Sequence, residues 1–180
     1  MSGKRYFEAF SIEMVGLAFK FEVNPSSCGN AAYFSDYLKY NALHDSSTGR
    51  GITHVLVEET DDSNKVIIGY VTLKSTALFT DIEVDGQSRI SGEPALEISN
   101  LAVHKDYEKQ GIGSALIDFV VDMAAEIGSN HVAIKHIVLA ADEMAEGFYK
   151  KKDFNYFRDY FDMPRSYENV GCTPMFMTLW

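Results

Sequence analysis

From Ile112 to Ile127 the chain repeats apolar residues at helical spacing. Ile112, Ala115, Leu116, Phe119, Val120, Met123, Ala124 and Ile127 recur at i, i+3, i+4 and i+7, while Asp118, Asp122 and Glu126 fall on the other side. A stripe of this width has to be covered by another layer, which restricts the chain to a packed helix-and-sheet or helix-and-helix arrangement. Gly128 is the predicted stop of this helix. Before it come a predicted strand, Ala95 to Val103, and a short polar loop ending in Gly111 and Gly113. A strand, a glycine loop and a helix start in that order gather backbone N–H groups at the positive end of a helix dipole, an arrangement suited to phosphates.

The remaining pattern supplies the layer. Tyr6 to Leu17 predicts a first strand, and Phe19 to Val23 alternates apolar and charged residues as a half-buried strand does. Asn24-Pro25-Ser26-Ser27 is a turn, Asn30 to Leu43 has helical spacing, and Ser46 to Gly51 reads as loop. Thr53–Glu59 and Lys65–Leu73 are β-branched runs around Asp61-Asp62-Ser63-Asn64, the pattern of a hairpin. Thr80 to Glu93 is a second hairpin or a loop, with Asp85-Gly86 as its tight turn. Ile134–Ala140 predicts a buried strand, Asp142–Lys151 a short helix, and Phe154–Phe157 and Met175–Leu179 closing strands. Strands pair first and alternate with helices later, which predicts one α/β domain over residues 1–180 built on a mixed sheet.

Composition narrows the class. The chain is 46% apolar and 13% aromatic, enough for a core, and its two cysteines, Cys28 and Cys172, make no disulfide framework. No run approaches the ~18 apolar residues of a membrane span, and the N-terminus lacks the apolar stretch of a signal peptide. The expectation is a cytoplasmic protein with no membrane partner. A net charge of −10 disfavours nucleic acid as a partner. It also hints, with the acidic Thr80–Glu93 stretch, at a cationic acceptor. The basic run Lys150-Lys151-Lys152 reads as a solvated helix end. No His, Cys, Asp and Glu cluster has metal-ligand spacing, so no metal is expected.

The loop itself is neither of two familiar phosphate binders. Leu116 stands where a dinucleotide fingerprint needs a small residue, and no Gly-Lys-Ser/Thr follows the glycines. Alone, the glycines support a tight turn as well as an anion site. Two further stretches decide between these readings. Leu101-Ala102-Val103 is followed by Glu108-Lys109-Gln110-Gly111-Ile112-Gly113, and after the next strand come Asp142, Ala145, Phe148, Tyr149, Lys151, Asp153 and Phe154. In order and spacing these resemble the two motifs of the GNAT superfamily of acyl-CoA-dependent N-acetyltransferases. The resemblance covers about Ala95 to Phe154 and implies the GNAT fold, a central mixed and mostly antiparallel sheet flanked by helices.

The resemblance implies acetyl-CoA as co-substrate, held by Leu101, Ala102 and Val103 along its pantetheine arm. Glu108, Lys109, Gln110, Gly111, Ile112, Gly113 and Ser114 would hold it at its pyrophosphate, with Asp142 and Phe148 completing the cofactor set. Glu108 departs from the usual Gln or Arg and puts an anion near the expected pyrophosphate, unless its side chain turns to solvent. Asp153 replaces a usual Gly, which predicts an altered turn after the helix. Tyr149 takes the position of the family's general acid, which protonates the departing thiolate. Glu97, four residues before Leu101, matches the base of some members.

A carboxylate of pKa ~4.3 cannot readily deprotonate an alkylammonium of pKa ~10.4, so Glu97 would act through water or with a raised pKa. An α-amine of pKa ~7.7–8 avoids most of that cost. His54, His104 and His136 are alternative bases by chemistry.

The predicted activity is acetyl transfer to a primary amine of a small-molecule or protein acceptor, and the family habit of homodimerisation carries over as an expectation. Two alternatives stand beside it. Cys28-Gly29 before a helix, Val55-Leu56-Val57 and Gly69-Tyr70-Val71-Thr72-Leu73 resemble the family's toxin branch, which acetylates aminoacyl-tRNA. The other alternative is a non-catalytic acyl-CoA-binding module.

Overall fold

The computed structural model describes residues 3–60, 64–160 and 171–180. Asp61, Asp62 and Ser63, the centre of the first predicted hairpin turn, lie outside them. The chain forms two compact units, Met1–Lys74 with Ser99–Phe119, and Ser75–Ile98 with Val120–Trp180.

In the first unit, β1 (Lys4–Ala9) pairs antiparallel with β2 (Ile52–Glu59), which pairs antiparallel with the first half of β3 (Lys65–Val84). The end of β4 (Gln87–Val103) follows β3, with His104 N donating to Ile68 O at 3.0 Å. The register between β2 and β3 shifts at Leu56/Val57. One face of these strands is covered by α1 (Val15–Ala18), α2 (Ala31–Asp36), a π turn over Tyr37–Asn41 and α3 (Ala42–Ser47). Phe10, Met14, Ala18, Phe21, Tyr37, Leu38, Val55, Val57, Ile67, Tyr70 and Ala102 form the core there.

Several expectations need correction. The predicted first strand ends at Ala9, because Ile12–Met14 and α1 turn helical and bury Met14 and Ala18. Phe19–Val23 is not a strand. Phe21 is buried and Glu22 exposed as alternation requires, but the backbone bonds elsewhere. Glu22 O accepts from Lys105 N at 2.8 Å, and Val23 N donates to Ser35 Oγ at 3.0 Å. The helical stretch after Asn30 forms as expected but runs on to Ser47, into the predicted loop.

The first half of α4 (Ile112–Asn130) packs on the sheet through Gly69. A Cβ at Gly69 would meet Ile112 Cγ2 at 2.9 Å, Leu116 Cδ1 at 3.1 Å and Ala102 O at 3.3 Å. Helix and strands therefore touch at backbone distance, fixing where the glycine loop emerges. Gly69→Val overpacks this contact and lowers stability by about 3 kcal/mol, read as a fall in Tm of roughly 6–12 °C. An unchanged Tm would mean that the helix is free to lift off the strand.

Tyr37 and Tyr70 are the core's buried phenols, stacked 6.3 Å apart. Tyr70 donates to Phe34 O at 2.8 Å and Tyr37 to Asp45 Oδ2 at 2.9 Å. Burial pushes Tyr37 from 10.0 up to about 12, and raises Tyr70 well above its ordinary value. Folded protein thus holds these protons where unfolded chain would release them. Their stabilisation is complete below pH about 10 and is lost as pH climbs through about 12. A titration of tyrosinate absorbance should show at least two phenols that ionise only with alkaline unfolding, whereas smooth titration of every tyrosine near pH ~10 would contradict this packing.

In the second unit, β3 and β4 continue as a long hairpin through Asp85 (φ 55) and Gly86 (φ 73), a left-handed pair that makes the expected tight turn. β4 pairs parallel with β5 (His136–Ala141), which pairs antiparallel with β7 (Thr173–Thr178); β6 (Asn155–Tyr156) lies on the far edge of β7. The sheet is therefore mixed, as predicted. The helix α5 (Glu146–Lys150) follows a 3-10 turn over Glu143–Ala145.

Gly128 does not stop α4; the helix runs to Asn130 and closes where His131 N and Val132 N both donate to Ile127 O. Of the closing strand predicted over Phe154–Phe157, only Asn155 and Tyr156 pair, and Phe157 begins a 3-10 turn. Among the described residues, no helix is long and apolar enough to cross a membrane.

Candidate active site

In the first unit the predicted cofactor residues form one continuous strand–loop–helix. β4 ends with Leu101 and Val103 half-buried and Ala102 buried, as strand alternation dictates. His104 then caps the 3-10 turn Lys105–Tyr107: its Nδ1 accepts from Asp106 N at 3.2 Å. With Nδ1 an acceptor, Nε2 carries the proton and donates to Lys20 O at 3.2 Å. Both ring nitrogens are engaged and the ring is buried, so His104 serves as a cap rather than a base.

The loop turns through two left-handed residues, Lys109 (φ 59) and Gly111 (φ 79), before α4 begins. Gly111 is exposed, and nothing lies within 4 Å of where its Cβ would stand. The first-turn amides of Ile112, Gly113 and Ser114 have no partner inside the helix, as at any helix N-terminus. Alternating left-handed residues also turn successive N–H groups toward one side, the geometry of an anion-binding nest. Gln110 does not join it, since its Nε2 donates back to Asp106 O at 3.1 Å.

Glu108 is the informative departure. Its carboxylate neither faces solvent alone nor points at the loop's amides. Asn24 Nδ2 donates to Oε2 at 3.1 Å and the Ser27 hydroxyl donates to Oε1. The Asn24-Pro25-Ser26-Ser27 turn, closed by Ser27 N donating to Asn24 O at 3.1 Å, thus holds the offending anion. The carboxylate is thereby held on that turn. Lys105 Nζ on Glu22 Oε2, at 2.5 Å, braces the same pair of segments.

The second unit holds Glu97, Asp142, Phe148 and Tyr149. Glu97 is half-buried on β4, opposite Val138 of β5. Asp142 follows β5 and caps the next turn, Oδ1 accepting from Met144 N at 3.0 Å. Tyr149 is buried on α5, its ring edge-on to Phe148 at 5.1 Å and Phe154 at 5.7 Å. The helix carrying it is anchored by Glu146, whose carboxylate accepts from Tyr156 OH at 3.1 Å and from the Thr173 hydroxyl.

The turn after α5 is left-handed at the position of the replaced glycine. Asp153 takes φ 64, the backbone a glycine would adopt, while Phe154 N returns to Tyr149 O at 3.1 Å.

Of the other two candidate bases, His136 is paired and His54 packs against a ring. His136 is buried with Nε2 2.6 Å from Glu93 Oε2 and Nδ1 3.0 Å from Thr178 Oγ1. His54 lies against Phe119 at 5.2 Å, and burial lowers its pKa. Sequence reasoning missed the anchors Asn24, Ser27 and Glu146. The Asn-Pro-Ser-Ser turn was visible, but its partner lies 84 residues away in the case of Asn24.

The model of the acetyltransferase (GNAT) family matches residues 20–154. A search of curated protein sequences returns no match. Among solved structures, a bacterial toxin is similar at 19% identity and TM-score 0.74, covering 98% of this chain and 92% of its own. A mutant of the AtaT toxin is similar at 16% identity and TM-score 0.73, covering 99% and 93%. AtaT complexed with acetyl-methionyl-tRNAfMet is similar at 15% identity and TM-score 0.73, covering 97% and 95%. The family match takes in the strand end, the glycine loop and the Phe-Tyr helix just described, so the chain belongs to the GNAT family and is an acyl-CoA-dependent N-acetyltransferase.

Proposed function

We propose that the chain, as one catalytic domain over residues 1–180, moves the acetyl group of acetyl-CoA onto the α-amine of an aminoacyl-tRNA. The observation that carries this reading is the extent of the toxin likeness. It runs over 97–99% of this chain, N-terminal helices included, and one of the similar structures is AtaT with acetyl-methionyl-tRNAfMet.

The chemistry of the residues supports the same acceptor. A lysine-type amine is neutral about once in ~2,500 at pH 7, whereas an α-amine of pKa ~7.7–8 is neutral roughly one time in ten. His104 is spent on a cap and His136 is paired with Glu93, and an α-amine does not require a strong base. In this reading Leu101, Ala102 and Val103 hold the pantetheine arm, and the Glu108–Ser114 loop receives the pyrophosphate on its backbone amides. Asp142 and Phe148 support the acyl end. The neutral amine attacks the thioester carbon, the C–S bond breaks, and Tyr149 gives its proton to the thiolate. Glu97 orients the amine or relays its proton through water.

The net charge of −10 opposes a polyanion, so binding must be local. Lys150, Lys151 and Lys152 directly follow Tyr149, and Lys150 and Arg158 both lie over the Tyr156 ring, at 4.9 and 4.7 Å. The same acidic total favours a second reading, a small cationic amine as acceptor. A thiol-release assay separates them, with charged tRNA compared against polyamines, an aminoglycoside and lysine peptides. We expect turnover with charged tRNA to exceed that with every small amine; turnover with a polyamine and none with charged tRNA would transfer the conclusion to the second reading.

A further inference from the structure

Glu108 directly precedes the left-handed Lys109 and lies just ahead of Ile112, where α4 begins. A carboxylate so placed has two ways to spoil an anion site. It repels a phosphate beside it, or it bends onto the open amides of Ile112, Gly113 and Ser114 and occupies them itself. Its partners do not remove the charge, because the Asn24 amide and the Ser27 hydroxyl are neutral donors. The position of the carboxylate therefore decides what it does to an incoming anion.

That position is set by a turn closed on itself. Asn24 Oδ1 accepts from Ser26 N at 3.0 Å, which orients the side chain, and Nδ2 donates to Glu108 Oε2 at 3.1 Å. Ser27 N donates to Asn24 O at 3.1 Å. The Ser27 hydroxyl also lies 3.0 Å from that carbonyl, but it has one proton, and the charged Oε1 of Glu108 takes it. Two donors thus converge on the two oxygens of one carboxylate. The segments beside them are tied by Lys105 N on Glu22 O at 2.8 Å and Lys105 Nζ on Glu22 Oε2 at 2.5 Å. Lys105 is engaged by Glu22, so its charge serves that acid and not Glu108. All of these residues belong to the first unit.

We propose that Asn24 and Ser27 are positioning residues for acetyl-CoA, which hold the Glu108 carboxylate off the amides of the glycine loop and so set the affinity for the co-substrate. They act through Glu108. The inference rests on the reading above in which this loop receives the pyrophosphate.

The experiment compares acetyl-CoA dissociation constants, by calorimetry, for wild type, Asn24→Ala/Ser27→Ala, Glu108→Gln and the triple variant. The turn variant should bind acetyl-CoA about ten-fold more weakly than wild type, as one charge is released beside the two of a pyrophosphate. On the Glu108→Gln background the same two substitutions should change binding by no more than about two-fold, since no charge remains to release. Raising the salt from ~0.05 to ~0.5 M should shrink the ten-fold loss to about three-fold. A merely structural turn would weaken binding on either background and at either salt. Should the turn variant not fold, Asn24→Asp keeps the oxygen that accepts from Ser26 N and removes the donor to Glu108. Its loss should then be recovered by Glu108→Gln, which restores the bond with donor and acceptor exchanged. An unchanged dissociation constant in the turn variant, or an equal loss on both backgrounds, overturns the inference. Gly111→Val, measured alongside, tests the underlying reading on its own: a normal dissociation constant there places the pyrophosphate elsewhere, and the inference falls with that reading.

Discussion

Tyr149→Phe is expected to slow acetyl transfer by about 10²–10³-fold while acetyl-CoA affinity stays within about two-fold. The substitution removes one oxygen and leaves the ring, which is held edge-on between Phe148 and Phe154. The helix that carries it is anchored by Glu146 through Tyr156 and Thr173. The loss is thus chemical: a thiolate whose conjugate acid is near pKa ~8.5 leaves without a proton placed for it. Single-turnover rates beside calorimetric titration with acetyl-CoA make the comparison. Equal turnover in both proteins would remove Tyr149 from the reaction, and no turnover in either, with binding intact, would favour a non-catalytic acyl-CoA-binding module.

Gly111→Val should raise the KM for acetyl-CoA by about 30-fold or more. At φ 79 a side chain pays ~1–2 kcal/mol of backbone strain, and a β-branched one pays more. The loop escapes that strain only by rebuilding, which re-aims the amides of Ile112, Gly113 and Ser114. The added side chain would also fill the space that is open beside Gly111. Gly16→Ala is the control, a glycine with equally open surroundings and no left-handed backbone. Its KM should match wild type. A Gly111→Val protein with normal acetyl-CoA KM would place the pyrophosphate elsewhere.

What the sequence disclosed follows from the range of each interaction. The α4 stripe, the Asp85-Gly86 turn and the β2–β3 runs were readable because periodicity and turn chemistry are local. Phe19–Val23 misled for the same reason. Its alternation holds only in part, with Phe21 buried but Phe19 54% exposed, while Lys105 and Ser35 decide its backbone partners. Gly128 looked like a helix stop, yet the helix passes through it to Asn130.

The site divides in the same way. The glycine loop and the Phe148-Tyr149 pair are contiguous and were legible. The tethering of Glu108 was not, since it depends on Asn24 and Ser27 folding against it.

The most direct test of the central claim is to incubate the protein with isotope-labelled acetyl-CoA and a total pool of aminoacylated tRNA. Ribonuclease digestion then releases the terminal adenosines for mass spectrometry. The account predicts labelled N-acetyl-aminoacyl-adenosine with wild type, and about 10²-fold less with Tyr149→Phe. Unmodified aminoacyl-adenosine in both digests, while the same preparation acetylates a small amine, would contradict it.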